Sequence, residues 1–173
     1  MRSPELYPET KEFIEFLAAF KNESDRGAAL VAASILDVRL QEILSAFFVD
    51  SSTSRDLLSG FNAPLGTFSS RASMAFSLGL IQENEFKEIT VIRKIRNAYG
   101  HGWEPLTFKS GAIAALSGKL PWLGPVEHEA TATLRTRFNF AIAILVSDLM
   151  WRSKLVANER RIPKIWPNRA RSA

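Results

Sequence analysis

The chain has 173 residues, of which 46% are hydrophobic and 23% charged, and this composition is typical of a soluble globular domain. It has no cysteine, which excludes disulfides, thiol catalysis and cysteine-ligated zinc, and no apolar run approaches the roughly 18 residues that cross a bilayer, so we expect a cytoplasmic protein without membrane contact. The net charge of +4 is uneven, because residues 1–150 carry 15 basic and 17 acidic side chains whereas residues 151–173 carry 7 basic side chains and 1 acidic one.

Helical periodicity dominates the N-terminal part of the chain. Pro8 opens a predicted helix that reaches about Asn22, and Ser24 caps a second one that reaches about Phe48. Apolar side chains cover most of the circumference of the second helix, which indicates the central helix of a bundle. A narrow polar strip remains on that helix, formed by Ser34, Asp37, Gln41 and Ser45.

The middle of the chain mixes short helices with loops. Residues 55–68 predict one helical turn followed by an irregular loop that is rich in glycine and proline. Ser69 caps the next predicted helix, which Gly79 ends in a left-handed conformation. A longer helix then begins near Gln82 and carries Ile92, Ile95 and Tyr99 toward the core.

The C-terminal part of the chain contains one more long helix. Glycines and prolines divide residues 102–126 into short pieces, with a short helix at Ala112–Leu116. The long helix starts near Glu129 and fades before Pro163. The fold class that we predict is therefore all-α, a bundle of five or six main helices.

The predicted bundle is a single domain over residues 1–160, followed by a tail. Residues 161–173 are basic, contain prolines and are expected to be flexible. Three cations at this end are candidate contacts for nucleic-acid phosphates or an acidic partner: Arg160, Arg161 and Lys164. The alternative is a solvated tail that only keeps the protein in solution.

A candidate functional motif ends the helix that begins near Gln82. Arg93, Asn97 and His101 follow one another at a spacing of four, and Arg96 lies beside that line. Arginine supplies a fixed positive charge, and histidine exchanges protons near neutral pH. The functional interpretation is a phosphate-handling site in which Arg96 stabilises phosphoryl charge, His101 transfers a proton and Asn97 orients one of them. The alternative is structural, since Arg and His at a helix end also bond free carbonyls and carboxylates.

No cofactor or metal site is predicted. His128 lies between two glutamates, but neighbouring helical side chains diverge, so we expect a solvated helix start there. There is no phosphate-cradling glycine loop, two-histidine metal helix or nucleophile elbow. The helices around Gly79 superficially resemble a helix-turn-helix. A standard major-groove reader is rejected, because three glutamates begin its second helix: Glu83, Glu85 and Glu88.

Four separated blocks resemble the bacterial mannitol operon repressor family. They are residues 23–31, 63–71 and 78–81, and the run Ile95-Arg96-Asn97 with His101. The resemblance covers about residues 10–110 and implies an all-helical cytoplasmic regulator of transcription. It does not imply a known DNA-reading surface, so the leading hypothesis is regulation by binding, with a nucleic acid or a regulatory protein as the partner.

Arg96, Asn97 and His101 also match the Arg–polar–His pattern of ribonucleases in the HEPN superfamily. That resemblance implies a helical bundle that forms a homodimer in which two motifs face one cleft. Active members cut RNA without a metal, the ribose 2′-hydroxyl attacking the adjacent phosphate. Many others are inactive binding modules or toxin–antitoxin components. A metal-independent endoribonuclease is therefore the alternative function, and a binding module whose Arg–His pair only ties helices together is a third.

Arg26 and Arg71 belong to the blocks shared with the repressor family. Each is predicted in the first turn of a helix, where a positive charge opposes the helix dipole. Such a placement indicates a specific partner, either a phosphate or carboxylate of a ligand or a carboxylate of the protein itself, such as Asp25 for Arg26.

Overall fold

The computed structural model describes residues 7–100 and 104–167 as a bundle of α-helices, with no strand in either range. The predicted all-α fold class is therefore confirmed. Five helices have ten residues or more, which agrees with the five or six main helices expected. The helices are Pro8–Lys21 (α1), Asp25–Phe47 (α2), Ser52–Leu58 (α3), Phe68–Ser77 (α4), Glu83–Gly100 (α5), Gly111–Ser117 (α6) and Leu134–Ala157 (α7).

Helix α2 is the centre of the bundle and packs against α1, α3, α4, α5 and α7. Ser24 caps it as predicted, its hydroxyl accepting from the backbone N–H of Gly27 at 3.0 Å. Its core face is rich in alanine, which lets neighbouring helices approach closely. The wide apolar face is not buried throughout, since two of its side chains, Leu30 and Val38, are exposed.

The N-cap of helix α4 lies two residues before the predicted cap. Thr67, and not Ser69, is the N-cap, because Thr67 and Ser70 form a reciprocal capping box. The end of α4 matches the prediction: Gly79 has φ +70°, its N–H donates to the carbonyl of Phe76, and the N–H of Leu80 donates to that of Ala75. This is a Schellman motif, whose left-handed residue favours glycine.

Helix α7 begins five residues later than predicted. Pro125 leads into a 3-10 helix over Val126–Thr131, and Thr133 then caps α7 by accepting from the N–H of Thr136 at 3.0 Å. Residues 158–167 have no regular secondary structure and are exposed. The bundle nevertheless holds the start of this segment, because the Arg161 N–H donates to the carbonyl of Phe47 at 2.7 Å.

Candidate functional site

An open cleft of about 380 Å³, the arginine cleft, lies where α5 meets α2 and the start of α4. Helix α5 contributes Arg93, Arg96 and Asn97, three of the four residues in the candidate motif. His101 lies outside the described residues. The other side chains that line the cleft are Ala33, Ser34, Asp37, Thr67, Phe68 and Ser69.

The packing of α5 explains why Arg93, Arg96 and Asn97 line the cleft. Ile92, Ile95 and Tyr99 are buried, as the periodicity predicts, so the positions between them face outward. Arg96 is exposed and its Nη1 donates to Oδ1 of Asn97 at 3.2 Å. Burial raises the pKa of the Tyr99 phenol, so this hydroxyl stays protonated at neutral pH and offers no base to the motif.

The polar strip of α2 forms the opposite wall of the arginine cleft through Ser34 and Asp37. The strip is visible in the sequence, but helical periodicity alone predicts that it faces solvent. Thr67 and Ser69 join it from α4. These four residues were not expected at the site, because their sequence neighbours give no sign that α2, α4 and α5 converge there.

Arg71 lies behind the cleft wall and is only 7% exposed. Its Nη1 donates to Oδ2 of Asp37 at 2.6 Å, and its Nη2 donates to the carbonyl of Leu58 at 2.8 Å. Of the two interpretations of Arg71, this geometry favours an internal ion pair over direct contact with a ligand. The pair also neutralises the one carboxylate that lines the cleft.

Arg26 lies on another part of the surface and does not line the arginine cleft. Its Nη2 donates to the carbonyl of Glu104 at 2.9 Å, which fastens the start of α2 to the chain after α5. The neighbouring Asp25 accepts from Nη1 of Arg135 and from the backbone N–H of Phe108. Both residues therefore tie α2 to distant parts of the chain.

The three basic candidates of the C-terminal end are all exposed. Arg160 donates weakly to the carbonyl of Phe48, at 3.4 Å, and the Arg161 guanidinium lies 4.7 Å from the centre of the Phe47 ring. Lys164 lies 5.9 Å from the ring of Trp166. These contacts with Phe48 and Phe47 hold Arg160 and Arg161 beside the end of α2, whereas Lys164 lies further along the exposed segment.

The arginine cleft can hold an anion. Arg93 and Arg96 line it, Asn97 and three hydroxyl side chains add hydrogen-bond donors, and Asp37 is already paired with Arg71. Within residues 7–100 and 104–167, no group of three His, Asp or Glu side chains is placed to hold a metal ion. None of the helices in those two ranges is long and apolar enough to cross a membrane.

No family model matches the chain, and a comparison with curated proteins gives no match. Among solved structures, the chain is similar to one described as the X-ray structure of the MtlR–HPr complex from Escherichia coli. The similarity covers 87% of this chain and 99% of that one, with a TM-score of 0.55 and 20% sequence identity. At this identity the match shows the fold, which is MtlR-like.

Proposed function

We propose that this protein is a cytoplasmic transcriptional regulator of the mannitol-repressor type that acts by binding and that has a protein partner. The observation that carries the proposal is the MtlR-like fold, shared with a structure that was solved as a complex with HPr. The four sequence blocks that resemble the repressor family point the same way. The arginine cleft adds a surface suited to binding an anionic group.

Titration with purified Escherichia coli HPr tests the protein partner. We expect saturable binding of HPr to the full chain in isothermal titration calorimetry. An unrelated small acidic protein at the same concentration is the control for nonspecific charge effects. If HPr gives no more heat than this control, HPr is not a partner, and any regulation acts through another molecule.

A nucleic acid is the second partner in this proposal, with contacts from Arg160, Arg161 and Lys164. Binding to promoter-region DNA at about 50 and about 200 mM salt should weaken steeply as salt rises, because phosphate contacts release counterions. A chain that ends before residue 160 should bind more weakly. Absence of binding by both chains would exclude direct repression.

The second candidate function is a metal-independent endoribonuclease. It is favoured by the hydrogen bond between Arg96 and Asn97 and by the position of both side chains in an open cleft with Arg93. Arg96 would stabilise the phosphoryl charge and His101 would transfer the proton. In the HEPN-like arrangement a homodimer would bring two such motifs to one cleft.

Incubation with structured and single-stranded RNA in the presence of a chelator separates the candidates. A ribonuclease should leave cyclic-phosphate ends, and His101→Ala and Arg96→Gln should each abolish cleavage. Sedimentation equilibrium on the same sample tests the homodimer. If all RNA substrates stay intact, a function in binding is favoured over a ribonuclease. A lower melting temperature for His101→Ala, with unchanged binding, would indicate that the motif only ties helices together.

A further inference from the structure

Three clefts lie along the polar strip of α2, each between α2 and a neighbouring part of the chain. The arginine cleft is the first. The second, of about 580 Å³, lies between α2 and the end of α7 and is lined by Val38, Gln41 and Arg160 among others. The third, of about 120 Å³, lies toward α3. The second and third clefts share Ser45 and Arg160, so they adjoin each other.

The first cleft shares no lining residue with the other two, but the polar strip of α2 runs from it to both of them. Ser34 lines the arginine cleft, Gln41 lines the second cleft, and Ser45 lines the second and third. At 100° per residue these positions fall on one narrow stripe of the helix. Ser34 and Ser45 are eleven residues apart, so the stripe is about 16 Å long at 1.5 Å per residue. We call the three clefts with this stripe the α2 groove.

The charges along the α2 groove favour an anionic ligand. Three carboxylates line it, and each is paired with an arginine: Asp37 with Arg71, Glu42 with Arg39, and Asp50 with Arg55. Arg93 and Arg96 lie at one end and Arg160 near the other, and the ion pairs found among the described residues use none of the three. Positive charge therefore remains at both ends.

The lining of the α2 groove fits a nucleic-acid backbone better than a protein. It is rich in serine, threonine, asparagine and glutamine side chains, and Phe68 is its one aromatic residue among those described. Protein interfaces instead have an apolar core that is enriched in aromatic residues. Hydroxyl and amide side chains, together with arginine, are common contacts of phosphates and sugars.

The shape of the α2 groove favours a single strand over a duplex. Proteins read a duplex by inserting a protruding helix or ribbon into its groove. Here the central helix forms one wall of each cleft and does not protrude. A flexible single strand can follow such a depression, with its phosphates near the cations at either end.

We propose that the α2 groove binds single-stranded nucleic acid, with Arg96 and Arg160 contacting phosphates at its two ends. This inference rests on the nucleic-acid contact in the proposed function and adds to it the place and the strandedness. Phe68 is the one aromatic residue in the described lining and packs partly against the core, so we expect the strand to be held mainly by its backbone and different base sequences to be tolerated.

Fluorescence anisotropy with labelled dodecathymidylate tests this proposal on the full chain. This probe has no 2′-hydroxyl, so a ribonuclease that needs that group cannot cut it and binding is measured apart from cleavage. Arg96→Gln and Arg160→Gln should each weaken binding about fivefold. Each should also reduce the slope of log affinity against log salt by roughly 0.7. Lys94→Gln is the matched control, because Lys94 is an exposed cation beside Arg93 that does not line the cleft.

The double variant shows whether one strand contacts both ends. With dodecathymidylate the two losses should multiply, since the strand occupies both ends at once. Dithymidylate has a single internucleotide phosphate and cannot contact both ends at once, so with it the double variant should lose less than the product. If Lys94→Gln and Arg160→Gln weaken binding equally, the strand is held by diffuse charge attraction and the proposed groove is wrong.

Two competitors test the class of ligand. A duplex of the same length should bind more weakly than the single strand, and equal binding would overturn the proposal. Polyglutamate that binds more tightly, with the same dependence on Arg96 and Arg160, would assign the groove to an acidic protein instead. A negative result for the groove can be told apart from a negative result for the proposed function. If the groove does not bind dodecathymidylate, promoter DNA could still bind through residues beyond Arg160. The HPr titration does not depend on either nucleic-acid experiment.

Discussion

Arg152 and Glu85 form the most buried ion pair in the described part of the chain. Glu85 is 3% exposed and accepts two bonds from the guanidinium, at 2.7 and 3.1 Å, while Arg152 also donates to the carbonyl of Leu80. Removal of one partner leaves a buried charge. Arg152→Met should therefore lower stability by about 3 kcal/mol and the melting temperature by roughly 6–12 °C. The double variant with Glu85→Leu should recover most of this loss in thermal denaturation; no recovery would mean that the pair is not coupled.

Glu88 on α5 and Asp148 on α7 are two acidic side chains close enough to repel each other. Burial raises the pKa of both carboxyls above their ordinary values, and the nearby Glu85 carboxylate raises both further. A carboxyl whose folded pKa is raised binds its proton more tightly in the folded state. Stability therefore falls as pH rises through the interval between the ordinary and the raised pKa.

Glu88→Gln should accordingly stabilise the protein at neutral pH. Since the side chain is partly exposed, solvent screening limits the gain to about 0.5 kcal/mol, or roughly 1–2 °C in melting temperature. The gain should disappear below about pH 4, where the wild-type carboxyl is protonated. Glu83→Gln is the control, because Lys87 lowers the pKa of Glu83 and its replacement should not stabilise. A gain for Glu88→Gln that persists in acid would contradict this account.

At the scale of elements, the turn between α4 and α5 depends on a single glycine. Gly79 has φ +70°, where a Cβ is strained whatever the space around it. Gly79→Ala should lower stability by about 1–2 kcal/mol, which chemical denaturation would detect as a lower midpoint with an unchanged slope. Gly118→Ala is the matched control, since Gly118 has φ −65° and a Cβ there meets only ordinary contacts. Equal losses at both positions would contradict a conformational origin.

Sequence reasoning predicted those elements whose signals are local. The Ser24 cap, the Gly79 stop and the buried face of α5 follow from neighbouring residues, and all three are confirmed. Where several hydroxyl residues compete, the local signal is ambiguous: the sequence predicts the cap of α4 at Ser69, whereas the structure has it at Thr67. The predicted start of α7 near Glu129 is wrong, because Val126–Thr131 forms a 3-10 helix and α7 begins only after the cap at Thr133.

The candidate site was predictable only on its α5 side. Periodicity places Arg93, Arg96 and Asn97 outward on α5, and the structure shows them together in one cleft. The opposite wall depends on how α2 and α4 pack against α5, which the sequence of α5 does not contain. The burial of Arg71 also required tertiary structure, since its partner Asp37 is 34 residues away.

At the scale of the whole molecule, the net positive charge is concentrated at the C-terminal end of the chain. Residues 162–173 carry 3 basic and no acidic side chains, so a chain ending at Arg161 has a net charge of +1 in place of +4. It keeps the Arg161 contacts with Phe47. A chain ending at Glu159 loses two more cations and reaches −1.

These two truncations should have different effects on stability. The chain ending at Arg161 should melt at the temperature of the full chain, because the residues it lacks are exposed where they are described. The chain ending at Glu159 loses the backbone hydrogen bond of Arg161 and its contact with the Phe47 ring, so it should be less stable by about 1 kcal/mol. Affinity for dodecathymidylate should fall mainly in the second step, where Arg160 is lost from the α2 groove. If thermal denaturation already shows a large loss for the first truncation, the end of the chain belongs to the folded domain and is not a separate tail.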